Sequence, residues 1–241
     1  MSGRLIGVGT GPGDPELLTV KAVRAIEGAA VVAAFAKRGR VSNARTTVAD
    51  LIRPDHMEEA LDYPVTTEID RHHADYRSQT AAFYDEAAAR LARHLDAGRT
   101  VAVLSEGDPL FYGSYMHLHV RLAPRYTTEV IPGITAMSGC WSMAGLPLVQ
   151  GDDVLSVLPG TLGEAELATR LSGTDGAVIM KVGRNLPRIR KALAQAGKLE
   201  GAVYVERGTM ATGRSMLLAD KPDDEAPYFA LILVPGWSTR P

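Results

Sequence analysis

The stretch Val101-Ala102-Val103-Leu104-Ser105-Glu106-Gly107-Asp108-Pro109-Leu110-Phe111-Tyr112-Gly113 decides the fold class. Its first four residues form an apolar run of the kind buried on both faces of a sheet. The run ends in a glycine, an acid and a proline, so the strand stops sharply and presents backbone groups at its C-terminal edge. In open α/β sheets that edge is where ligands bind. Gly107 permits close approach to the backbone, Asp108 offers a carboxylate and Pro109 stiffens the turn. Taken alone, the same residues also describe a tight surface turn after a core strand.

Reading toward the N-terminus, Leu5-Ile6-Gly7-Val8 is a second apolar strand, and it runs into the glycine- and proline-dense turn Gly9–Pro15. A helix starts near Thr19, carries Val20, Val23 and Ile26, and ends at Gly28. Ala30–Phe35 is another buried strand. Strand, helix, strand with apolar strands predicts a parallel sheet. Residues 47–70 give no consistent pattern. From Asp75 to Asp96 the spacing of Tyr84, Ala88, Leu91 and Leu95 predicts a helix closed by Gly98. This helix leads into the Val101 strand.

Beyond Gly113, Ser114 is placed to cap a helix reaching Leu122, and Ala123-Pro124 ends it. Glu129–Gly133 reads as a short strand and turn, followed by a helix of small residues from Thr135 to Ala144. In the second half, Val154–Gly160, Ala177–Gly183, Ala202–Gly208 and Tyr228–Val234 read as strands. Helices are predicted over Glu164–Leu171 and from a capping Asn185, with Pro187 in the first turn, to Gly197. The spacing fits a second, mixed α/β sheet. Two α/β domains are expected, residues 1–123 and 124–241, with the junction at Ala123-Pro124.

Bulk properties narrow the function classes. The 241 residues are 46% hydrophobic and 22% charged, enough for a sizeable core, and the formal net charge of −2 argues against general nucleic-acid or membrane-surface binding. One cysteine, Cys140, leaves no internal disulfide framework, cysteine zinc site or cysteine-held cluster. It lies in an apolar helix, where packing is the expected role. Met1–Arg4 runs directly into a strand, so no signal peptide is expected, and the apolar runs are too short to span a bilayer. A cytoplasmic protein is expected.

Familiar catalytic signatures do not fit. Gly7, Gly9, Gly11 and Gly13 fail the G-x-G-x-x-G spacing, since the third position falls on Pro12 or Asp14. There is no Walker sequence, no G-x-S-x-G and no H-E-x-x-H. His117 and His119 point to different faces of one helix, and no metal is expected. Without a nucleophile or metal ligands, the residues describe a protein that positions ligands. Lys181, Arg184, Arg188, Arg190 and Lys191 form the densest basic stretch. It reads either as a solvated face or as a site for carboxylates or phosphates.

Three motifs in order resemble the signatures of the tetrapyrrole (corrin/porphyrin) methyltransferases. They are Gly7-Val8-Gly9-Thr10-Gly11-Pro12-Gly13-Asp14-Pro15-Glu16-Leu17-Leu18-Thr19, the Ser105–Gly113 stretch, and Ile131-Pro132-Gly133-Ile134-Thr135-Ala136. The resemblance covers essentially the whole chain. It implies two α/β domains of the tetrapyrrole methylase fold, an N-terminal parallel sheet and a C-terminal mixed sheet, with the active site in the cleft and usually a homodimer. It implies S-adenosylmethionine as cofactor and S-adenosylhomocysteine as product. Carried over by position, the cofactor contacts are Pro12, Glu106, Gly107, Asp108, Phe111, Thr135, Ala136, Val182 and Gly208. Many relatives have glycine or serine where Glu106 stands, which points to its backbone rather than its side chain.

Ser114–Leu118, Ser138–Trp141 and Met180–Asn185 are most similar to the members acting on precorrin-2. That implies methylation of its meso carbon 20 to give precorrin-3A in cobalamin biosynthesis. The carbon is electron-rich and needs no covalent enzyme intermediate. A base must then remove its proton, and Tyr112, His117 and Glu206 are unranked candidates. The substrate carries eight carboxylates, which makes Arg38, Arg40, Arg184 and Arg188 candidate contacts. The alternatives are the cobalt-containing substrate, methylation at another position, a macromolecular methyl acceptor, and a binding module without transferase activity.

Overall fold

The computed structural model describes residues 2–64 and 74–236. By contacts the chain separates into two compact units, Met1–Thr135 and Ala136–Pro241. The Ala123-Pro124 junction read from sequence lies inside the first unit. The strand that follows it pairs with the first strand of the chain, which draws it into the N-terminal sheet.

The first unit runs β1 (Arg4–Gly9), α1 (Val20–Glu27), β2 (Val31–Lys37), α2 (Asn43–Thr47), β3 (Met57–Tyr63), α3 (Ala74–Asp96), β4 (Val101–Ser105), α4 (Tyr115–Leu122) and β5 (Thr127–Ile131). Its strands form one sheet in the order β3-β2-β4-β1-β5, and every pairing is parallel. Alternate residues serve opposite faces. Leu5, Val31, Val101 and Val103 pack with Leu91 and Leu95 of α3 and Leu118 of α4. Ile6, Val8, Val32 and Leu104 pack with Ala22 and Ile26 of α1 and Ala44 of α2. Each large aliphatic side chain buried this way contributes roughly 1.5–3 kcal/mol, which is why the central strands read as unbroken apolar runs.

Local chemistry sets the ends of α1. Thr19 Oγ1 accepts the Ala22 amide at 3.1 Å, and Gly28 closes the last turn. Ser114 precedes α4 but makes no cap bond. Its Oγ instead meets the hydroxyls of Tyr63 and Tyr84.

The second unit runs α5 (Ala136–Met143), β6 (Leu155–Pro159), α6 (Glu164–Ser172), β7 (Gly176–Met180), α7 (Leu186–Gln195), β8 (Val203–Glu206), β9 (Arg214–Leu217) and β10 (Ala230–Val234). Its sheet is mixed, in the order β6-β7-β10-β8-β9, with only β6 and β7 parallel. Leu167 and Leu171 of α6 and Leu186, Ile189 and Leu193 of α7 cover Ile179, Tyr204 and Ile232. Cys140 of α5 packs with Val178, Val205 and Leu233 on the other face. Asn185 stands at the start of α7 without capping it. Its amide nitrogen donates to Lys181 O at 2.9 Å and its Oδ1 accepts from Arg188 at 2.7 Å.

Candidate functional site

Strands β1 and β4 are neighbours, yet α1 after β1 and α4 after β4 cover opposite faces of the sheet. That arrangement is a topological switch point, the place where open parallel sheets bind ligands at the strands' C-terminal ends. The loops leaving β1, β4 and β5 therefore emerge side by side at this edge.

Contacts between these loops are mostly backbone to backbone. Gly11 and Gly107 exchange amide–carbonyl bonds of 3.3 and 2.8 Å. The buried Thr10 donates both its amide, at 2.8 Å, and its hydroxyl, at 3.0 Å, to Ser105 O. Asp108 reaches the third loop, with Oδ2 accepting the Gly133 amide at 3.1 Å and Oδ1 accepting the Leu110 amide at 2.9 Å. Side chains are excluded where the loops touch. A Cβ on Gly9 would lie 2.5 Å from Gly133 N and 2.7 Å from Gly107 O, and one on Gly133 would strike Gly107 O. Beneath them, the ring of Tyr115 fills the space a side chain on Gly7 would need. Burial pushes the Tyr115 hydroxyl up to about 12.

Among the described residues, the non-glycine residues with positive φ are Tyr112 (55°), Lys181 (57°), Arg207 (48°) and Thr209 (67°). Each adjoins a position singled out from sequence: Phe111, Val182 or Gly208. Such conformations cost roughly 1–3 kcal/mol apiece and concentrate at functional loops. In the second unit, Gly208 sits against Cys140, and a Cβ there would meet its Sγ. The buried thiol is pushed up to about 12, which makes it packing rather than a nucleophile.

The other predicted residues separate into clear groups. Glu106 is exposed to solvent, but protein atoms crowd its carboxyl and raise its pKa, and a bond from Asn43 opposes the shift. Phe111 and Tyr112 pack edge to face at 4.8 Å. His117 stacks on Tyr84 at 4.0 Å. Burial and the Arg121 charge hold its pKa below the usual value, so its imidazole is neutral at pH 7. Arg38, Arg40 and Arg184 are exposed and, among the described residues, unpaired.

Two candidates already have partners within their own unit. The Arg188 guanidinium donates to Gly160 O at 3.0 Å and to Asn185 Oδ1 at 2.7 Å, so it braces its own unit. Glu206 is buried and accepts from Tyr204 at 2.6 Å, Arg214 at 2.8 Å and Arg207 at 3.1 Å. Burial alone would raise its pKa, but these bonds outweigh it and hold the carboxyl below its usual value. A carboxylate so fully engaged supports the neighbouring turn and is a poor proton acceptor. The Arg188 bond to Gly160 O spans 28 residues, whereas the partners of Glu206 all lie within eight residues of it. Thr209, which sequence reading passed over, follows Gly208 directly, and its Oγ1 is buried without a partner. A cavity of about 310 Å³ is lined by Arg4, Lys21, Arg24 and Glu129 among others. It opens toward the starts of β1 and β4, and Glu129 is already paired with Arg4 and Lys21.

The sequence profile of the tetrapyrrole (corrin/porphyrin) methylases matches residues 4–218. The chain belongs to that family. A precorrin-2 C(20)-methyltransferase from a Sinorhizobium species is 70% identical over 239 residues, covering 99% of this chain and 98% of that one. A cobalt-precorrin-2 C(20)-methyltransferase from Salmonella typhimurium is 30% identical and covers 97% of each. Among solved structures, uroporphyrin-III C-methyl transferase from Thermus thermophilus, complexed with S-adenyl homocysteine, is similar with a TM-score of 0.68 at 25% identity. The match covers 97% of this chain and 97% of that one. Among the described residues, no group of three His, Cys, Asp or Glu is placed to hold a metal ion.

Proposed function

We propose that this methylase transfers the methyl group of S-adenosylmethionine to the meso carbon 20 of precorrin-2, giving precorrin-3A in cobalamin biosynthesis. The observation that carries this reading is the 70% identity to the Sinorhizobium enzyme over nearly the full length of both chains. When bound, S-adenosylmethionine supplies an electrophilic methyl group, which the electron-rich meso carbon accepts without a covalent enzyme intermediate.

The chain's own residues bind, orient and handle a proton. In the first unit, Pro12, Glu106, Gly107, Asp108, Phe111 and Thr135 are assigned to the cofactor. In the second, Ala136, Val182 and Gly208 take that part. The glycine-only contacts between the Gly9, Gly107 and Gly133 loops support the assignment, as do the left-handed residues beside Phe111, Val182 and Gly208. The orphaned Thr209 hydroxyl fits a site built for a polar ligand. Holding two reactants in line is worth up to ~7–11 kcal/mol in favourable cases.

Loss of the carbon-20 proton is assigned to His117 or Tyr112. Arg38, Arg40 and Arg184 are assigned to substrate carboxylates, with charge-assisted bonds of ~1.5–3 kcal/mol each. No helix among the described residues is long and apolar enough to cross a membrane. We place the protein in the cytoplasm as a homodimer, a state that light scattering on the purified chain measures directly.

The deciding experiment supplies methyl-labelled S-adenosylmethionine with precorrin-2 and, separately, with its cobalt complex, and locates the label by NMR. Label at carbon 20 of the metal-free substrate is expected. Label at another carbon, transfer to the cobalt form alone, or no transfer overturns the reading.

A further inference from the structure

Four buried side-chain atoms have neither a hydrogen-bond nor an ion-pair partner among the described residues, His56 Nε2, Ser105 Oγ, Arg188 Nε and Thr209 Oγ1, while Arg190 Nε lies 2.8 Å from Asp224 Oδ1. The His56 ring bonds through Nδ1, and both arginines bond through their other nitrogens. Only the two hydroxyls leave their side chain wholly unsatisfied. Each adjoins an assigned cofactor contact, with Ser105 next to Glu106 and Thr209 next to Gly208.

Thr209 is the more telling of the two, because its backbone is also unfavourable. Its φ of 67° is left-handed, a conformation that β-branched residues avoid. The surroundings fix it there. Its amide donates to Met143 Sδ at 3.4 Å. Gly208 before it is seated against Cys140. The Arg207 amide donates to Phe229 O at 2.8 Å, while the Arg207 guanidinium donates to buried Glu206. Folding alone would favour glycine or asparagine at this φ, and an apolar side chain at a buried point without a polar partner. Thr209 meets neither preference. A ligand atom beside Gly208 would answer the hydroxyl.

We infer that Thr209 is a further ligand-binding residue, its Oγ1 hydrogen-bonding a polar atom of the S-adenosyl ligand next to the Gly208 backbone. The inference rests on the reading of this turn as a cofactor loop. Thr209→Val keeps the shape and the β-branch and removes only the hydroxyl, whereas Thr209→Ser keeps the hydroxyl.

Calorimetric titration of the full chain with S-adenosylhomocysteine, alongside thermal melts, provides the test. Thr209→Val is expected to bind roughly 3- to 10-fold more weakly with its melting temperature maintained, and Thr209→Ser to stay within about twofold of the natural chain. Equal affinity in Thr209→Val overturns the inference and leaves the cofactor reading standing. So does an equal loss in Thr209→Ser, since the hydroxyl would then not be the cause. Failure of the natural chain to bind S-adenosylhomocysteine overturns both. Should Thr209→Val not fold, Thr209→Ala decides by the same comparison.

Discussion

The Asp108 carboxylate accepts the backbone amide of Gly133 at 3.1 Å, tying the loop after β4 to the loop after β5. The other oxygen holds the Leu110 amide, so this side chain fixes both the shape of its own turn and the distance to the next. Asp108→Ala leaves two amides without their acceptor and is expected to lose about 1–3 kcal/mol of stability. It should also weaken S-adenosylhomocysteine binding. Asp108→Asn keeps an acceptor for one amide and is expected to lie between the two. Melting curves and titrations on the same samples check both effects. Undiminished affinity in a folded Asp108→Ala chain would return the motif to a structural turn.

Gly133→Ala puts a methyl group into the Gly107 carbonyl and 2.9 Å from Gly9 Cα, where only backbone surrounds it. Backbone cannot yield as a side-chain end can, so a loss of at least ~1–3 kcal/mol is expected, together with loss of ligand binding. Gly173→Ala is the control. Its φ is −96° and the nearest atom to the added Cβ is 3.6 Å away, so a change within about 0.5 kcal/mol is expected. Denaturant titration of both variants separates the cases.

The basic residues should divide by partner. Arg38→Ala, Arg40→Ala and Arg184→Ala are expected to raise the substrate KM severalfold with little change in Tm, an effect that shrinks as added salt screens the charges. Arg188→Ala should instead lower Tm, because it releases Gly160 O and Asn185 Oδ1. Steady-state kinetics at two ionic strengths, with melts, test the division. If all three exposed variants keep the natural KM, those side chains are only solvated.

Glu206 gives a pH signature. Its pKa is depressed in the folded chain from the ordinary 4.5, so its stabilisation is fully present above that value and is lost as pH falls through the folded pKa. Glu206→Gln is expected to lose about 1–3 kcal/mol at pH 7 and to flatten the acid limb of the stability curve. Melts from pH 7 down to pH 3 measure the slope. An acid limb as steep in Glu206→Gln as in the natural chain would assign it to other carboxyls.

The central strands were legible because burial on both faces writes itself as Leu5–Val8, Val31–Phe35 and Val101–Leu104, each stopped by glycine, proline or a polar turn. The three loops were legible for the same reason, since glycine is required where backbones touch. β3 was not legible, because an edge strand bearing Glu58, Glu59 and Asp62 lacks the apolar run. β9, at the edge of the second sheet, hides in the same way. Ser114 and Asn185 stand where local sequence favours caps, but their side chains bond elsewhere. The partners Tyr63 of Ser114 and Gly160 of Arg188 lie far along the chain, whereas Asn185 bonds Lys181 and Arg188 within about one turn.

The acids that concealed β3 have a consequence for the chain in a crowded solution. An outermost strand with open amides and carbonyls is a template on which a second molecule can extend the sheet. Here Glu58 is paired with Arg45, and Glu59 with Arg90 and His94, so the margin of the first sheet is lined with side chains already committed to ion pairs. A strand arriving from another copy would have to displace or bury them. This margin therefore discourages fibrous growth.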